Sequence, residues 1–259
     1  MSDVREPAVS GLFYPADPTE LSANVRALLD SVKPRTSCFK ALISPHAGYI
    51  YSGPIAAEVF ASLLARSEIN RVVLFGPSHR VPLTGMAVPS SLFFNTPLGP
   101  VRLDHDSIQK ILTMSDVSLN DEAHAWEHSL EVQLPFLQEV LADFTLVPVV
   151  VGYTAPESVA QVMQTLWGGD ETLILVSSDL SHFLPYAQAQ RVDRTTSDKI
   201  LAKTADLSGE EACGCYAVNG LLTVCRKKGL KGKMLALANS GDTAGDKNRV
   251  VGYGGYGFK

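Results

Sequence analysis

The placement of histidines is the feature of this sequence that most clearly suggests chemistry. The chain has six histidines, and three of them, His46, His79 and His182, come shortly after apolar runs that predict buried strands. In an open α/β sheet, ligands bind in the crevice beyond the carboxyl ends of the strands. A single loop histidine most often only satisfies nearby backbone groups. Three strand ends with one histidine each predict instead a shared site lined by imidazoles.

Imidazoles gathered at such a site predict a bound metal ion. Neutral imidazole is a ligand for iron, copper, zinc and nickel, and its second ring nitrogen needs an orienting partner. Asp179, three residues before His182, is a candidate for that orienting role or for a general base beside the metal. His128 stands at the predicted start of a helix, where it either lines the pocket or caps the helix. His105 and His124 lack a comparable position, and we expect them to be ordinary surface or loop residues.

The cysteines offer a second kind of candidate ligand. Four of them are spaced irregularly in a chain of 259 residues, which predicts reduced thiols rather than a disulfide framework. Cys213 and Cys215 stand on either side of a glycine, just before an apolar helix predicted at residues 217–224. A helix N-terminus lowers the pKa of a thiol, which suits a metal ligand or a nucleophile. A C-x-C pair is a weak signal by itself, so both thiols are candidates.

The elements that must position these residues alternate along the chain. Apolar runs rich in β-branched residues predict strands at residues 41–44, 71–75, 144–151, 172–177, 233–237 and 250–258. Segments with a helical period predict helices at residues 54–65, 106–114, 129–141, 156–166 and 193–203. Residues 85–102 are divided by glycine and proline, which predicts one or two short strands with turns. The alternation predicts one α/β domain over residues 1–259, with a mostly parallel or mixed central sheet and helices on both faces.

Composition narrows the function classes. Apolar residues make up 46% of the chain and charged residues 19%, which is a globular balance. The formal net charge is -5, whereas a nucleic-acid or anionic-membrane partner would require clustered Lys and Arg, so we expect neither. The first seven residues have no apolar core of signal-peptide length, and no later run reaches the roughly 18 residues that a membrane span needs. We expect a cytoplasmic protein.

Seven short segments, taken in their order and spacing, carry a resemblance to a known family. They are GLFYP at residues 11–15, PHAGY at 45–49 with SG at 52–53, GPSH at 76–79, TPLG at 96–99, EHSLE at 127–131, LVPVVVG at 146–152 and SSDLSH at 177–182. Each segment is modest alone. Together they extend over nearly the whole chain and resemble the Memo family.

The resemblance implies a fold similar to that of the class III, non-haem-iron extradiol dioxygenases. It also implies a site for one metal ion, iron or copper, with zinc as a further option. Carried over position by position, it implies that His46, His79 and Cys213 bind the metal and that Asp179 and His182 lie in the pocket. Bacterial members of the family often accompany a radical-SAM protein, which implies a functional association with such a partner.

From these observations we predict a mononuclear metal protein that is a redox enzyme or a redox-active binding protein, with an unidentified small-molecule substrate. We expect Asp179, His182 and His128 to orient ligands or to act as acids and bases. Extradiol dioxygenases bind iron through two histidines and a carboxylate. A thiolate in place of that carboxylate donates more charge and is itself oxidisable. Dioxygenase activity therefore does not follow from the fold.

Two other functions are compatible with the same pocket. One is a non-catalytic module that binds a peptide or another ligand, with the histidines acting as hydrogen-bond donors. The other is a metal-dependent hydrolase in which Asp179 is the base, which needs an open coordination position. We rank the hydrolase last, because the sequence has no second, carboxylate-rich metal motif.

Overall fold

The computed structural model describes residues 3–33 and 38–259. Its strands are β1 (Val4–Arg5), β2 (Ala41–Ser44), β3 (Arg71–Pro77), β4 (Met86–Val88), β5 (Phe93–Thr96), β6 (Gly99–Arg102), β7 (Val117–Leu119), β8 (Thr145–Val151), β9 (Thr172–Ser177), β10 (His182–Leu184), β11 (Gly232–Asn239) and β12 (Val250–Phe258). Its α-helices are α1 (Pro18–Asp30), α2 (Tyr49–Phe60), α3 (His105–Leu112), α4 (Glu122–Ala125), α5 (Leu134–Val140), α6 (Pro156–Thr165), α7 (Tyr186–Ala202) and α8 (Cys215–Lys227). Short 3-10 helices cover Ala61–Leu63, Glu131–Gln133 and Ser240–Asp242.

A nine-stranded mixed sheet forms the centre of the described structure. Its main path runs β10-β12-β2-β9-β3-β8-β4-β7, and β11 pairs with β12. The neighbours β2, β9, β3 and β8 are parallel, whereas β12 is antiparallel to β2 and β4 is antiparallel to β8. The parallel strands are buried along almost their whole length, as is typical of strands covered on both faces. The predicted mixed sheet is confirmed.

Helices cover both faces of this sheet. At Gly255 of β12, a Cβ atom would lie 2.6 Å from Cγ2 of Val59 in α2. The next residue, Tyr256, shares a 2.6 Å hydrogen bond between its hydroxyl and that of Ser197 in α7. Successive strand residues face opposite sides of a sheet. Therefore α2 and α7 lie on opposite faces, as the alternation of elements predicted.

The predicted helix at residues 129–141 begins later than expected. Glu131–Gln133 form a 3-10 helix, and α5 begins at Leu134. Pro135 thereby falls in the first turn of α5, where its missing N–H costs no intrahelical hydrogen bond. The segment ahead of α5 is left irregular. It carries Glu127 and His128, which reach the centre described below.

A second, three-stranded sheet has the order β1-β5-β6. Its β5 and β6 form an antiparallel hairpin in which Thr96 pairs with Gly99, so short strands with turns are present within residues 85–102 as predicted. The parallel pairing of β1 with β5 attaches the N-terminal segment to this hairpin. Among the described residues, no helix combines the length and the apolar character that crossing a membrane requires.

Candidate metal centre

Three strand ends meet at one edge of the large sheet. The strands β2, β9 and β3 are parallel neighbours, so their carboxyl ends lie side by side. His46 follows β2, Asp179 follows β9 and His79 follows β3. His182 is the first residue of β10, which pairs with β12. The strand-end residues singled out from the sequence thus lie at a common edge.

Three histidines from separate segments come together there. His46, His79 and His128 each offer a ring nitrogen, and these nitrogens lie within 4.8 Å of one another. The ring centroids are 5.1 Å apart for His46 and His79, 5.4 Å for His46 and His128, and 4.7 Å for His79 and His128. This group can hold a single metal ion. His128 lines the pocket, so the open choice between pocket and helix cap is decided.

A hydrogen-bond network determines the tautomer of His46, which is 2% exposed. Its Nδ1 lies 2.8 Å from Ser177 Oγ. That hydroxyl donates to the Ser129 carbonyl oxygen at 2.6 Å and accepts a hydrogen bond from Gln133 Nε2 at 2.9 Å. Because a serine hydroxyl has one proton to donate, the proton between the two side chains belongs to His46 Nδ1. His46 Nε2 therefore carries the lone pair.

A carboxylate determines the tautomer of His79. Glu127 Oε1 lies 2.9 Å from His79 Nδ1, and Glu127 Oε2 accepts the His79 backbone N–H at 2.6 Å. The backbone N–H groups of His128 and Ser129 also donate to Oε1, both at 2.9 Å. Burial opposes ionisation of Glu127, but the hydrogen bonds from His79 and Ser129 outweigh it and lower its pKa to about 2. An ionised carboxylate only accepts, so neutral His79 has its proton on Nδ1 and its lone pair on Nε2.

Burial keeps two of these imidazoles neutral. Burial, followed by the charge of His79, lowers the pKa of His46 well below its ordinary value. Burial, followed by the charge of His46, lowers the pKa of His128 to about 4. His128 Nδ1 lies 3.3 Å from Glu127 Oε1 without the geometry of a hydrogen bond, and it has no such partner among the described residues. Neutral imidazole is the form that binds metal ions.

Cys213 lies next to the histidines. Its Sγ is 3.3 Å from His46 Nε2 and accepts the Asp179 backbone N–H at 3.3 Å. Cys215 instead begins α8 and is buried. Burial, followed by the charge of Asp179, raises the pKa of Cys213 well above its ordinary value. The expected lowering of the thiol pKa at a helix N-terminus is therefore wrong here, because burial dominates. All four cysteines are free, as predicted.

Two glycines allow the segments of the centre to approach one another. At Gly214, a Cβ atom would lie 2.7 Å from the Ser177 carbonyl oxygen, so only glycine brings Cys213 this close to the end of β9. At Gly76 in β3, a Cβ atom would lie 2.7 Å from Ser129 Oγ. A side chain there would push away the segment that carries the orienting glutamate and the third histidine.

The histidines line a cavity of about 610 Å³, a volume that suits a small molecule. Asp179 and His182 line the same cavity. Asp179 Oδ1 accepts the His46 backbone N–H at 2.8 Å, and its Oδ2 lies 4.0 Å from His46 Nε2. Burial raises the pKa of Asp179. Phe13 covers one side of the centre, with its ring centroid 4.8 Å from that of His128.

The remaining two histidines lie elsewhere. His105 begins α3, directly after the capping residue Asp104. His124 is 1% exposed, and its Nε2 lies 3.0 Å from the Ala87 carbonyl oxygen. The expectation of a surface or loop residue was wrong for His124, because α4 packs against β4 and buries the ring. The small apolar neighbours of His124 in the sequence were the signal of that burial.

A family model described as "Memo-like protein" matches residues 5–256. The chain belongs to the Memo family. A MEMO1 family protein of Sulfolobus acidocaldarius is 32% identical over 280 residues, which cover 96% of this chain and 97% of the relative. A MEMO1 family protein of Aquifex aeolicus is 37% identical over 269 residues, which cover 96% of this chain and 97% of the relative. A MEMO1 family protein of Archaeoglobus fulgidus is 34% identical over 274 residues, which cover 99% of this chain and 100% of the relative. The predicted family resemblance is confirmed.

Among solved structures, an uncharacterized protein of Escherichia coli K12, JW3007, is similar to this Memo-family chain. The TM-score is 0.50 at 12% identity, and the match covers 83% of this chain and 99% of that chain. At this identity the likeness concerns the fold alone. The predicted α/β fold class is confirmed.

The residues of the Memo centre fit a metal ion. His46 and His79 keep an unprotonated Nε2, while their other ring nitrogens are held by Ser177 and Glu127. Metal-binding histidines in proteins are typically oriented in this way. The orphaned Nδ1 of His128 adds a buried polar atom that lacks a partner among the described residues. The donor set is therefore nitrogen-rich, with one sulfur beside it.

Proposed function

We propose that this Memo-family protein binds one redox-active metal ion, iron or copper, through His46, His79 and Cys213. The observation that carries the proposal is the pair of hydrogen-bond networks that leave His46 and His79 with unprotonated Nε2 atoms at one cavity. Nitrogen and thiolate donors together suit both metals. We further propose that the ion acts on a small molecule in the 610 Å³ cavity.

The position of the sulfur supports Cys213 as a ligand. Two donors of one tetrahedral ion, with bonds of about 2.1 Å to nitrogen and about 2.3 Å to sulfur, lie about 3.6 Å apart. The distance from Cys213 Sγ to His46 Nε2 is 3.3 Å. The buried thiol has a raised pKa without a cation, but a coordinated thiol loses its proton. Metal binding at this centre should accordingly release a proton.

The neighbouring side chains have proposed roles in handling the substrate. A bound iron or copper ion supplies redox chemistry. Asp179 holds the backbone of His46, and burial raises its pKa, so we assign it the role of accepting or donating a proton. His128 and His182 line the cavity beside it and can exchange protons with a bound molecule. The ring of Phe13 shields the His128 side from water.

A second candidate function is metal-dependent hydrolysis. It is favoured by the group of three histidines, since a three-histidine set with an open position is one form of catalytic zinc site. His128 would then replace Cys213 as the third ligand, and Asp179 would be the base. The peptide- or ligand-binding module has no specific observation in its favour. The cytoplasmic location and the association with a radical-SAM protein stay predictions.

The test is metal analysis of protein purified without oxygen, followed by absorption spectroscopy. We expect one ion per chain in the wild type and less than a tenth of that in His46→Ala and His79→Ala. His105→Ala, outside the centre, should keep full occupancy. Cys213→Ser should lose the thiolate-to-metal charge-transfer band while His128→Ala keeps it.

Two outcomes contradict the proposal in different ways. Equal metal content in the wild type and both histidine variants would refute the metal centre. A metal-loaded wild type without a charge-transfer band, in which His128→Ala loses the ion and Cys213→Ser retains it, would favour the three-histidine set and the hydrolytic function.

A further inference from the structure

Two arginines line the cavity and are not used by the proposed metal centre. Arg80 directly follows His79, and Arg249 directly precedes β12. Both side chains are exposed. Within residues 3–33 and 38–259, neither guanidinium forms an ion pair with a carboxylate. The chain as a whole is acidic, so this pair of positive charges is a local feature of the cavity.

The carboxylates that line the cavity already have other partners. Asp246 accepts hydrogen bonds from the backbone and the side chain of Asn248, at 3.0 to 3.2 Å. Asp179 accepts the backbone N–H of His46. Among the described residues, neither acid forms an ion pair with Arg80 or Arg249. A guanidinium has five N–H donors in a planar fork that matches a carboxylate or a phosphate.

The guanidinium of Arg249 stacks on the ring of Phe183, a residue with an unusual backbone conformation. Its guanidinium carbon lies 4.8 Å from the centroid of the Phe183 ring. Phe183 has a φ of 59°, in the left-handed region that a bulky residue rarely adopts, and it is 60% exposed. Backbone strain of this kind is found mainly at functional sites.

The strained residue lies in a strand irregularity next to the cavity. On β10, His182 pairs with Val251 and Leu184 pairs with Val250, so Phe183 is the extra residue of a bulge. Bulges beside active sites redirect side chains. Here the bulge leaves His182 in the cavity lining while Phe183 contacts Arg249. An ordinary surface arginine would need neither the bulge nor the stacking ring.

We propose that Arg80 and Arg249 bind the oxyanion group, a carboxylate or a phosphate, of a small organic acid that is the substrate of this cavity. The arginines would fix one end of the molecule while its other end reaches the histidines. This inference rests on the proposed function for the identity of the reacting end, but the anion contacts do not involve the metal. Charge-assisted hydrogen bonds of this kind are about twice as strong as neutral ones.

The test measures anion binding in chelator-treated protein, so that no metal can hold the anion. The probes are benzoate and inorganic phosphate, with uncharged benzamide as the matched control ligand. Arginine side-chain NMR signals are followed during titration of the wild type, Arg80→Gln, Arg249→Gln and Arg226→Gln. Arg226 is exposed in the last turn of α8, so its substitution removes the same charge outside the cavity.

We expect saturable binding of at least one probe to the wild type and to Arg226→Gln. Each cavity variant should raise the Kd about tenfold or more, as expected for one lost hydrogen-bonded charge. If only phosphate binding depends on the two arginines, the oxyanion group of the substrate is a phosphate. If only benzoate binding depends on them, the group is a carboxylate. Absence of binding, equal Kd values in all four proteins, or benzamide binding as tightly as benzoate would overturn the proposal.

The same proteins separate this inference from the metal centre. The arginine variants should take up one metal ion per chain, as the wild type does. Arginine-dependent anion binding in a protein that takes up no metal would refute the metal centre and retain the anion site. Full metal uptake with no anion binding would refute the anion site and retain the metal centre.

Discussion

Glu127 and Glu131 lie four residues apart, are 2% and 0% exposed, and accept hydrogen bonds from four donors each, yet they serve different parts of the molecule. The donors to Glu127 are the ring and backbone of His79 and the backbone N–H groups of His128 and Ser129. The donors to Glu131 are Arg5 Nη1, the backbone N–H groups of Ala8 and Val9, and the Tyr14 hydroxyl. One carboxylate organises the metal centre, and the other anchors the N-terminal segment.

Burial and a full set of hydrogen-bond donors therefore do not by themselves identify a catalytic or metal-site carboxylate. Glu127 is distinguished by one donor, an imidazole whose second nitrogen is left free for a ligand. Glu131 has a fully buried ion pair with Arg5 instead. It reaches the cavity only indirectly, because the segment it anchors carries Phe13, which packs on His128.

The largest expected effect comes from breaking the Glu131 anchor. Glu131→Gln should lower the free energy of unfolding by about 3–5 kcal/mol, because it leaves the buried charge of Arg5 without its counterion. Metal stoichiometry in the folded variant should stay at the wild-type value. Urea denaturation and elemental analysis measure the two quantities.

Asp206→Asn is the matched control for this prediction, because Asp206 pairs with Lys199 and neither side chain is buried: they are 63% and 33% exposed. Loss of such an exposed pair should change stability by less than about 1 kcal/mol. Equal stabilities of Glu131→Gln and Asp206→Asn would show that the Arg5 pair is not an anchor. Loss of metal from folded Glu131→Gln would place this carboxylate in the centre after all.

The next largest effect concerns how the contribution of Glu127 to the free energy of unfolding depends on pH. The pKa of Glu127 is about 2 in the folded chain against an ordinary 4.5, so the folded state favours its ionised form. The resulting stabilisation, about 3 kcal/mol, is present above pH 4.5 and is lost as the pH falls towards 2. The difference in unfolding free energy between wild type and Glu127→Gln, measured without metal, should shrink over that range. A difference that stays constant from pH 6 to pH 3 would contradict the assignment.

Much of the fold and part of the centre follow from local sequence patterns. Residues 41–44, 172–177 and 250–258 are strands with the predicted bounds. The first two are buried parallel strands, which consist of apolar runs bounded by turn residues. The apolar runs at residues 41–44 and 71–75 place His46 and His79 at strand ends. Since parallel neighbours share an edge, the meeting of these two histidines was predictable once the sheet was predicted.

The rest depends on contacts between segments distant in the sequence. His128 joins the centre because Gly76 lets the segment after α4 pack closely against β3, and no local pattern encodes that approach. The pairing of Arg5 with Glu131 spans 126 positions. The bulge at Phe183 is equally absent from the sequence pattern, since its unusual φ depends on the pairing of β10 with β12.

The smallest expected effect compares the two partners that orient the proposed ligands. Glu127→Gln removes a charged partner of His79 and should weaken metal binding about 10- to 100-fold, as measured by competition with a chromophoric chelator. Ser177→Ala removes the neutral partner of His46 and should lie near the lower end of that range. The reason is that His46 is enclosed by its surroundings, whereas the His79 side chain is 28% exposed and relies on its carboxylate for orientation. Ser118→Ala, on β7 away from the cavity, should leave the affinity unchanged. A larger loss in Ser177→Ala than in Glu127→Gln would mean that the tautomer of His46, rather than the charge beside His79, controls metal affinity.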